Sequence, residues 1–353
     1  MKNINKIFLK KKIISLDNYL DKVLYDKNYG YYQKNNPFGK EGDFITAPNI
    51  SNLFSEMVSL WTVSFWEKLN KPKNFNFVEL GPGNGDFCFN FIRTLKNFPD
   101  VYNSVKIHLY EKSRKLESFQ KRRFANNNIY WIKNFKKIKN GPVIFFGNEF
   151  LDALPIKQFK KDKGNIFEKF VKIKDNNIYF FYKRAQKKYI KKLNKFKLLK
   201  NDGVIEYPEY GFKELDTICK KINKLNGGAL FIDYGYEKYQ NIDTLQSVKR
   251  HKFNDLKKNI TSSDITSLVN FDLYKNYFKN NRLRVENIIS QSEFLQKMGI
   301  RERFKILSHK LNAKEKSNLY TRVKRLLHPE MMGQKFKVIF VKNKKCNFNL
   351  DLK

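Results

Sequence analysis

A chain of 353 residues that is 41% hydrophobic is long enough to bury a large core, and its net formal charge of +37 raises the question of a polyanionic partner. The 71 lysines and arginines against 34 acids run along the whole chain among abundant Asn, Ile, Phe and Tyr. That spread points to a compositional bias; nucleic acid is a possible partner that the pattern does not favour, although local runs such as Lys187, Lys188, Lys191 and Lys192 could form a patch.

No apolar stretch reaches transmembrane length. Cys88, Cys219 and Cys346 are too scattered for a disulfide framework or a zinc pattern, and no arginine precedes Arg93, so a bacterial cytoplasm is expected over a mitochondrial matrix. The four histidines form no metal-like pair, and no metal site is expected.

Residues 1–75 read as a mostly helical N-terminal region interrupted by an irregular stretch that holds Gly30, Tyr31 and Tyr32 and then the segment Gly42 to Pro48. Asn49 or Ser51 is placed to cap the next helix, whose face Phe54, Met57, Val58, Trp61 and Phe65 is core. The chain then reads as a buried strand, Phe77 to Leu80, running into a turn with alternating Gly81, Gly83 and Gly85 and a helix from Asp86 to Thr94.

Three ligands use such a turn. A P-loop needs a Gly-Lys-Ser/Thr ending that is missing, and the dinucleotide fingerprint needs a glycine where Asp86 stands. What remains is a loop for the methionine end of S-adenosylmethionine, whose ammonium and sulfonium suit an acid at Glu79.

Beyond the turn, strands and helices alternate, the pattern of an α/β doubly wound, mostly parallel sheet. Strands are expected at Val105 to Tyr110, Ile129 to Ile132, Val143 to Phe146 and Ala229 to Ile232, then at Leu283 to Ile289 and Phe336 to Val341, with helices between Gln291 and Leu327. The Rossmann-like core would be residues 76–155 and 227–353. Residues 156–226 form an insertion with a β-hairpin turned at Asp175 and Asn176, and residues 236–281 a second, irregular insertion; both are expected over the carboxyl edge of the sheet as a substrate-binding lid.

Glu111, at the end of the second strand, is placed to accept hydrogen bonds from ribose hydroxyls. Asn148, Glu149 and Asp152 follow the Val143 to Phe146 strand, where nitrogen methyltransferases gather polar groups. In-line displacement at a sulfonium methyl needs a nitrogen with a free lone pair, and for a guanidinium a carboxylate must draw positive charge away from that nitrogen. Glu149 suits that role with Asp152 as second acceptor; the alternative is helix capping by Asn148 and Asp152.

The segments Gly42 to Pro48, Val78 to Gly83, Asn148 to Pro155, Ile232 to Gly235, Thr244 to Gln246 and Met332 to Val338, in this order, resemble the MidA-like family of class I S-adenosylmethionine-dependent methyltransferases, which includes a mitochondrial complex I assembly factor. The resemblance runs from Ile14 to Val341. It implies a Rossmann-like fold and symmetric arginine dimethylation on the 49 kDa-type subunit of respiratory complex I. It also implies cofactor contacts from Asp43, Thr46 and Asn134, the last in place of an acid that meets adenine. Where the family often has His and Asp, this chain has Leu268 and Asn270. The rival functions are RNA methylation and assembly chaperoning without catalysis.

Overall fold

A computed structural model describes residues 7–8, 12–34, 45–125, 127–175, 177–238, 241–250 and 252–348. Its centre is a sheet whose strands lie in the order Arg284–Val285, Phe336–Lys342, Gly228–Tyr236, Val143–Asn148, Phe75–Leu80, Val105–Tyr110, Ile129–Ile132. The five strands from Gly228–Tyr236 to Ile129–Ile132 are parallel, and Phe336–Lys342 runs antiparallel beside them. Successive strands step one way from Phe75–Leu80 and then the other, so a crevice opens at the carboxyl ends between Phe75–Leu80 and Val143–Asn148.

Helices cover both faces, which is why the central strands are continuous apolar runs: Val143, Ile144, Phe145 and Phe146 are all buried. The Asn52–Lys68 helix packs Phe54, Met57, Val58, Trp61 and Phe65 into the core, and Ser51 caps it by accepting from Leu53 N. The expected α/β doubly wound fold is the one observed.

The insertion folds as a second sheet of Lys157–Asp162, Asn165–Lys174, Asn177–Arg184 and Gly203–Tyr207, with the hairpin turned at Asp175; Asn176 lies outside the described residues. The N-terminal region is not helical throughout, because Ile13–Ser15 adds to this sheet antiparallel to Phe170 to Lys172. Residues 236–281 are more regular than expected, with a three-stranded sheet of Gln246–Lys249, Lys252–Asn254 and Asp264–Thr266 and the helix Phe271–Asn280.

The single strand expected from Leu283 to Ile289 is split into Arg284–Val285 and Ile289–Ser290, both paired with Phe336–Lys342. Glu286, just past Arg284–Val285, keeps a backbone bond to Phe340 O at 3.0 Å and turns its carboxylate to Lys342 at 2.8 Å, a lysine with no exposed surface.

Buried polar contacts tie the insertions together. Lys157 sits between Asp17 at 3.1 Å and Glu168 at 2.9 Å, while Lys169 meets Asp243 at 2.8 Å. Burying a charge without a partner is costly, so these pairs specify how the N-terminal helix Leu16–Tyr25 and the second insertion seat on the inserted sheet.

Candidate active site

The crevice is an open cleft of about 1130 Å³ whose walls come from both ends of the chain's core. Phe75–Leu80, buried along its length, delivers Glu79 and leads into the turn. Gly81 and Gly83 line the cleft with φ of 67° and 55°, left-handed values that side chains with a Cβ rarely adopt. Gly85 is not on the cleft wall. Its φ of 77° starts the Asp86–Leu95 helix, and a Cβ there would stand 2.7 Å from Phe124 Cε2, so it serves close packing.

Glu79 is 5% exposed and its Oε2 has no hydrogen-bond partner among the described residues. Burial, with Asp86 and Glu111 nearby, holds its carboxyl well above the usual carboxylate range against the pull of Arg123. A buried acceptor facing a glycine turn calls for a cationic donor. Glu111 is held by Ser113 N at 2.7 Å and Gln120 Nε2 at 3.3 Å, and burial still pushes it up to about 7.

Gln120 was not visible to sequence reasoning. It is fully buried; its Nε2 also donates to Gly83 O at 2.7 Å and its Oε1 accepts from Trp131 Nε1 at 3.1 Å, so one amide fixes both the turn and Glu111. A glutamine on the mostly charged helix Arg114–Arg123 carries no pattern that marks it.

Thr46 lines the cleft and donates to Asn49 Oδ1 at 3.0 Å, and Asn49 donates to Asp86, which also binds Arg123 at 2.7 Å. Asp43 lies outside the described residues. Asn134 is placed elsewhere: it lines a neighbouring groove, and its Oδ1 accepts from Lys136 N at 3.0 Å to cap the short helix Phe135–Lys137. The amide oxygen that was to meet the cofactor is engaged there.

Across the cleft stand Asn148, Glu149 and Asp152. No helix follows them, so capping is not their role. The turn is held from behind by Asp233, whose Oδ2 accepts from Leu151 N at 2.8 Å and Asp152 N at 3.3 Å. Glu149 takes φ 52°, strained for a non-glycine residue, and its N–H donates to Ile232 O at 2.9 Å. Asn148 Nδ2 donates to Glu149 Oε1 at 3.0 Å, while Asn148 Oδ1 is buried without a partner among the described residues.

Burial pushes Glu149 up to about 7, against hydrogen bonds from Asn148 and the Ala47 backbone. Burial and then the Glu149 charge push Asp152 up to about 8. Tyr25, Tyr32 and Asp264 complete this end, again unmarked as site residues in the sequence although Tyr32 falls in the irregular stretch noted there.

The charge of the cleft is opposite to that of the chain. Its walls carry Glu79, Asp86, Glu111, Glu149, Asp152 and Asp264, and among the described residues one cation, Lys112, itself paired with Glu214 at 2.8 Å. A phosphate-bearing dinucleotide is a poor fit. S-adenosylmethionine fits: Glu79 with its unpartnered oxygen and the turn at Gly81 and Gly83 suit the cationic methionine end, and Glu111 suits the ribose.

Residues 57–289 match a family described as S-adenosyl-L-methionine-dependent methyltransferase. Among curated proteins, the chain is 29% identical over 364 residues to the protein arginine methyltransferase NDUFAF7, mitochondrial, of Xenopus laevis, covering 93% of this chain and 80% of that one. It is also 29% identical to the Danio rerio protein of the same name, over 97% of this chain and 88% of that one. Among solved structures, a methyltransferase-like COG1565 superfamily protein from Burkholderia thailandensis, bound to S-adenosyl-homocysteine, superposes with a TM-score of 0.82 at 22% identity, covering 98% of this chain and 92% of that one. The likeness extends the shared fold to nearly the whole chain.

Proposed function

The chain belongs to this family of S-adenosyl-L-methionine-dependent methyltransferases, and we propose that the methyl group goes to an arginine side chain of a protein. S-adenosylmethionine is the cofactor, and when bound it supplies an electrophilic methyl on a sulfonium. Glu79, Gly81, Gly83 and Glu111 would hold it.

The observation that carries the arginine reading is the acidic acceptor half of the cleft in a chain of net charge +37. Burial raises Glu149 to about 7 and, together with the Glu149 charge, Asp152 to about 8, so a cation beside them relieves both. A guanidinium is the cation whose planar donors match paired carboxylates. Glu149 would draw its charge away from the nitrogen that attacks, and a carboxyl titrating near neutrality is suited to take the proton that nitrogen gives up. The names of the curated relatives support the same acceptor.

The reading extends to symmetric ω-dimethylarginine as product and to the 49 kDa-type subunit of respiratory complex I as target; the family resemblance supports these finer points. No described helix is long and apolar enough to cross a membrane. RNA as substrate is disfavoured, because backbone phosphates would enter a cleft lined by carboxylates.

The test is methyl transfer from S-adenosylmethionine to arginine peptides, to lysine peptides and to RNA, with mass spectrometry of the complex I subunit from cells with and without the gene. Arginine-specific transfer and loss of dimethylarginine from that subunit are expected. Transfer confined to RNA, or an unaltered subunit, would overturn the corresponding part.

A further inference from the structure

We propose that Asp264 is a third carboxylate of the acceptor site, touching the substrate guanidinium, and that Tyr32 is the residue that positions it; the inference rests on the arginine reading of the same cleft. Asp264 opens the Asp264–Thr266 strand of the second insertion, far in sequence from Glu149 and Asp152, yet it lines the cleft with them and is 3% exposed. Its charge is felt at Glu149, which places the two on one side of the problem of holding a cation.

Two donors help to set its orientation. Ile265 N donates to Oδ1 at 2.8 Å and the Tyr32 hydroxyl donates to Oδ2 at 3.0 Å. Tyr32 stacks on Tyr25 with ring centroids 5.3 Å apart, and the Tyr25 hydroxyl donates to Ala153 O at 2.8 Å, in the turn that carries Asp152. One aromatic pair therefore bridges the turn bearing Asp152 and the strand bearing Asp264.

A donor count gives the third carboxylate its use. A guanidinium carries five N–H groups, an ammonium three, and each carboxylate oxygen can accept more than one hydrogen bond. The acceptor half already holds one buried acceptor that calls for a donor, Asn148 Oδ1 beside Glu149. With Asp264 added, Asn148, Glu149, Asp152 and Asp264 are four acceptor groups on this wall, more than the three N–H of an ammonium can serve and within the five of a guanidinium. Asp264 thus sets preference for arginine over lysine.

The experiment uses the whole protein loaded with S-adenosylhomocysteine, titrated with methylguanidinium and with methylammonium by calorimetry, beside KM for an arginine peptide. Asp264→Asn should weaken methylguanidinium binding and raise peptide KM by about tenfold or more, and leave S-adenosylhomocysteine affinity within about twofold. Tyr32→Phe should shift both by about threefold in the same direction and add little to Asp264→Asn, because it acts through that carboxylate. Unchanged values in Asp264→Asn, an equal loss of S-adenosylhomocysteine binding, additive effects of the two changes, or no methylguanidinium binding by the unaltered protein would each overturn the proposal. Methylguanidinium binding that depends on Asp264 without transfer to arginine peptides would instead sink the arginine reading and leave this site standing.

Discussion

Glu79, Gly81 and Gly83 follow one another along a single strand and its turn, whereas the acceptor half of the same cleft draws Tyr25 and Tyr32, the Asn148 to Asp152 turn, and Asp264 from three distant segments. The first half is rigid by local geometry: a buried strand, positive φ at the glycines and one buried glutamine behind them. The second is held by long-range hydrogen bonds, a strained Glu149 backbone and carboxylates that repel one another. The cofactor half is thus preorganised, and the acceptor half holds buried carboxyls whose charge is unfavourable unless they are protonated or meet a cation.

Four changes would sharpen or break this contrast. The largest effect is expected from Gly83→Val, which puts a branched side chain on a left-handed residue of the cleft wall. Calorimetry should show no measurable S-adenosylmethionine binding, with about 1–2 kcal/mol of backbone strain in the folded state; retained binding would mean the turn does not meet the ligand.

Glu149→Gln keeps shape and removes charge. Single-turnover methyl transfer should slow by about 10² to 10³, roughly 3 to 4 kcal/mol of transition-state stabilisation, while cofactor affinity stays within about twofold. Near-normal turnover would move the electrostatic role to Asp152.

Gln120→Leu leaves Glu111 and Gly83 O without their shared donor, at a cost of about 1–3 kcal/mol in stability and about tenfold in cofactor affinity. Arginine-peptide KM at saturating cofactor should not change. A rise in that KM would show that the two halves are mechanically coupled.

The smallest effect is a pH dependence of the ligand-free protein. In the unfolded chain Glu149 and Asp152 ionise near about pH 4, and in the fold at about 7 and about 8. Stability is therefore fully present below the unfolded values and is lost as pH rises through the folded ones. Asp152→Asn should flatten that decline and raise Tm at pH 8 by a few degrees, on the order of 1 kcal/mol. A melting temperature that instead falls at pH 8 in this variant would show Asp152 already paired with a cation.

Much of the cofactor half was legible because it is written in consecutive residues. The spacing of Gly81, Gly83 and Gly85 after an apolar run named the ligand class, although it could not tell that Gly85 packs on Phe124 while the other two face the cleft. Asn134 shows the limit from the other side: a polar residue at a strand end can cap the next turn as readily as meet a ligand, and the capping bond to Lys136 N is what the fold adopts.

By itself the sequence determined the alternation of strands and helices, the hairpin at Asp175 and the carboxylates Glu79, Glu111, Glu149 and Asp152 as candidates, which the cleft brings together. Those are properties of periodicity, turn chemistry and residue type, each readable within about ten residues. Only the tertiary structure decided that Ile13–Ser15 joins the inserted sheet, that Gln120 stands behind the glycine turn, and that Tyr32 reaches Asp264 across 232 residues of chain. Such contacts depend on which buried polar groups find partners once the layers have packed, and no local pattern encodes that pairing.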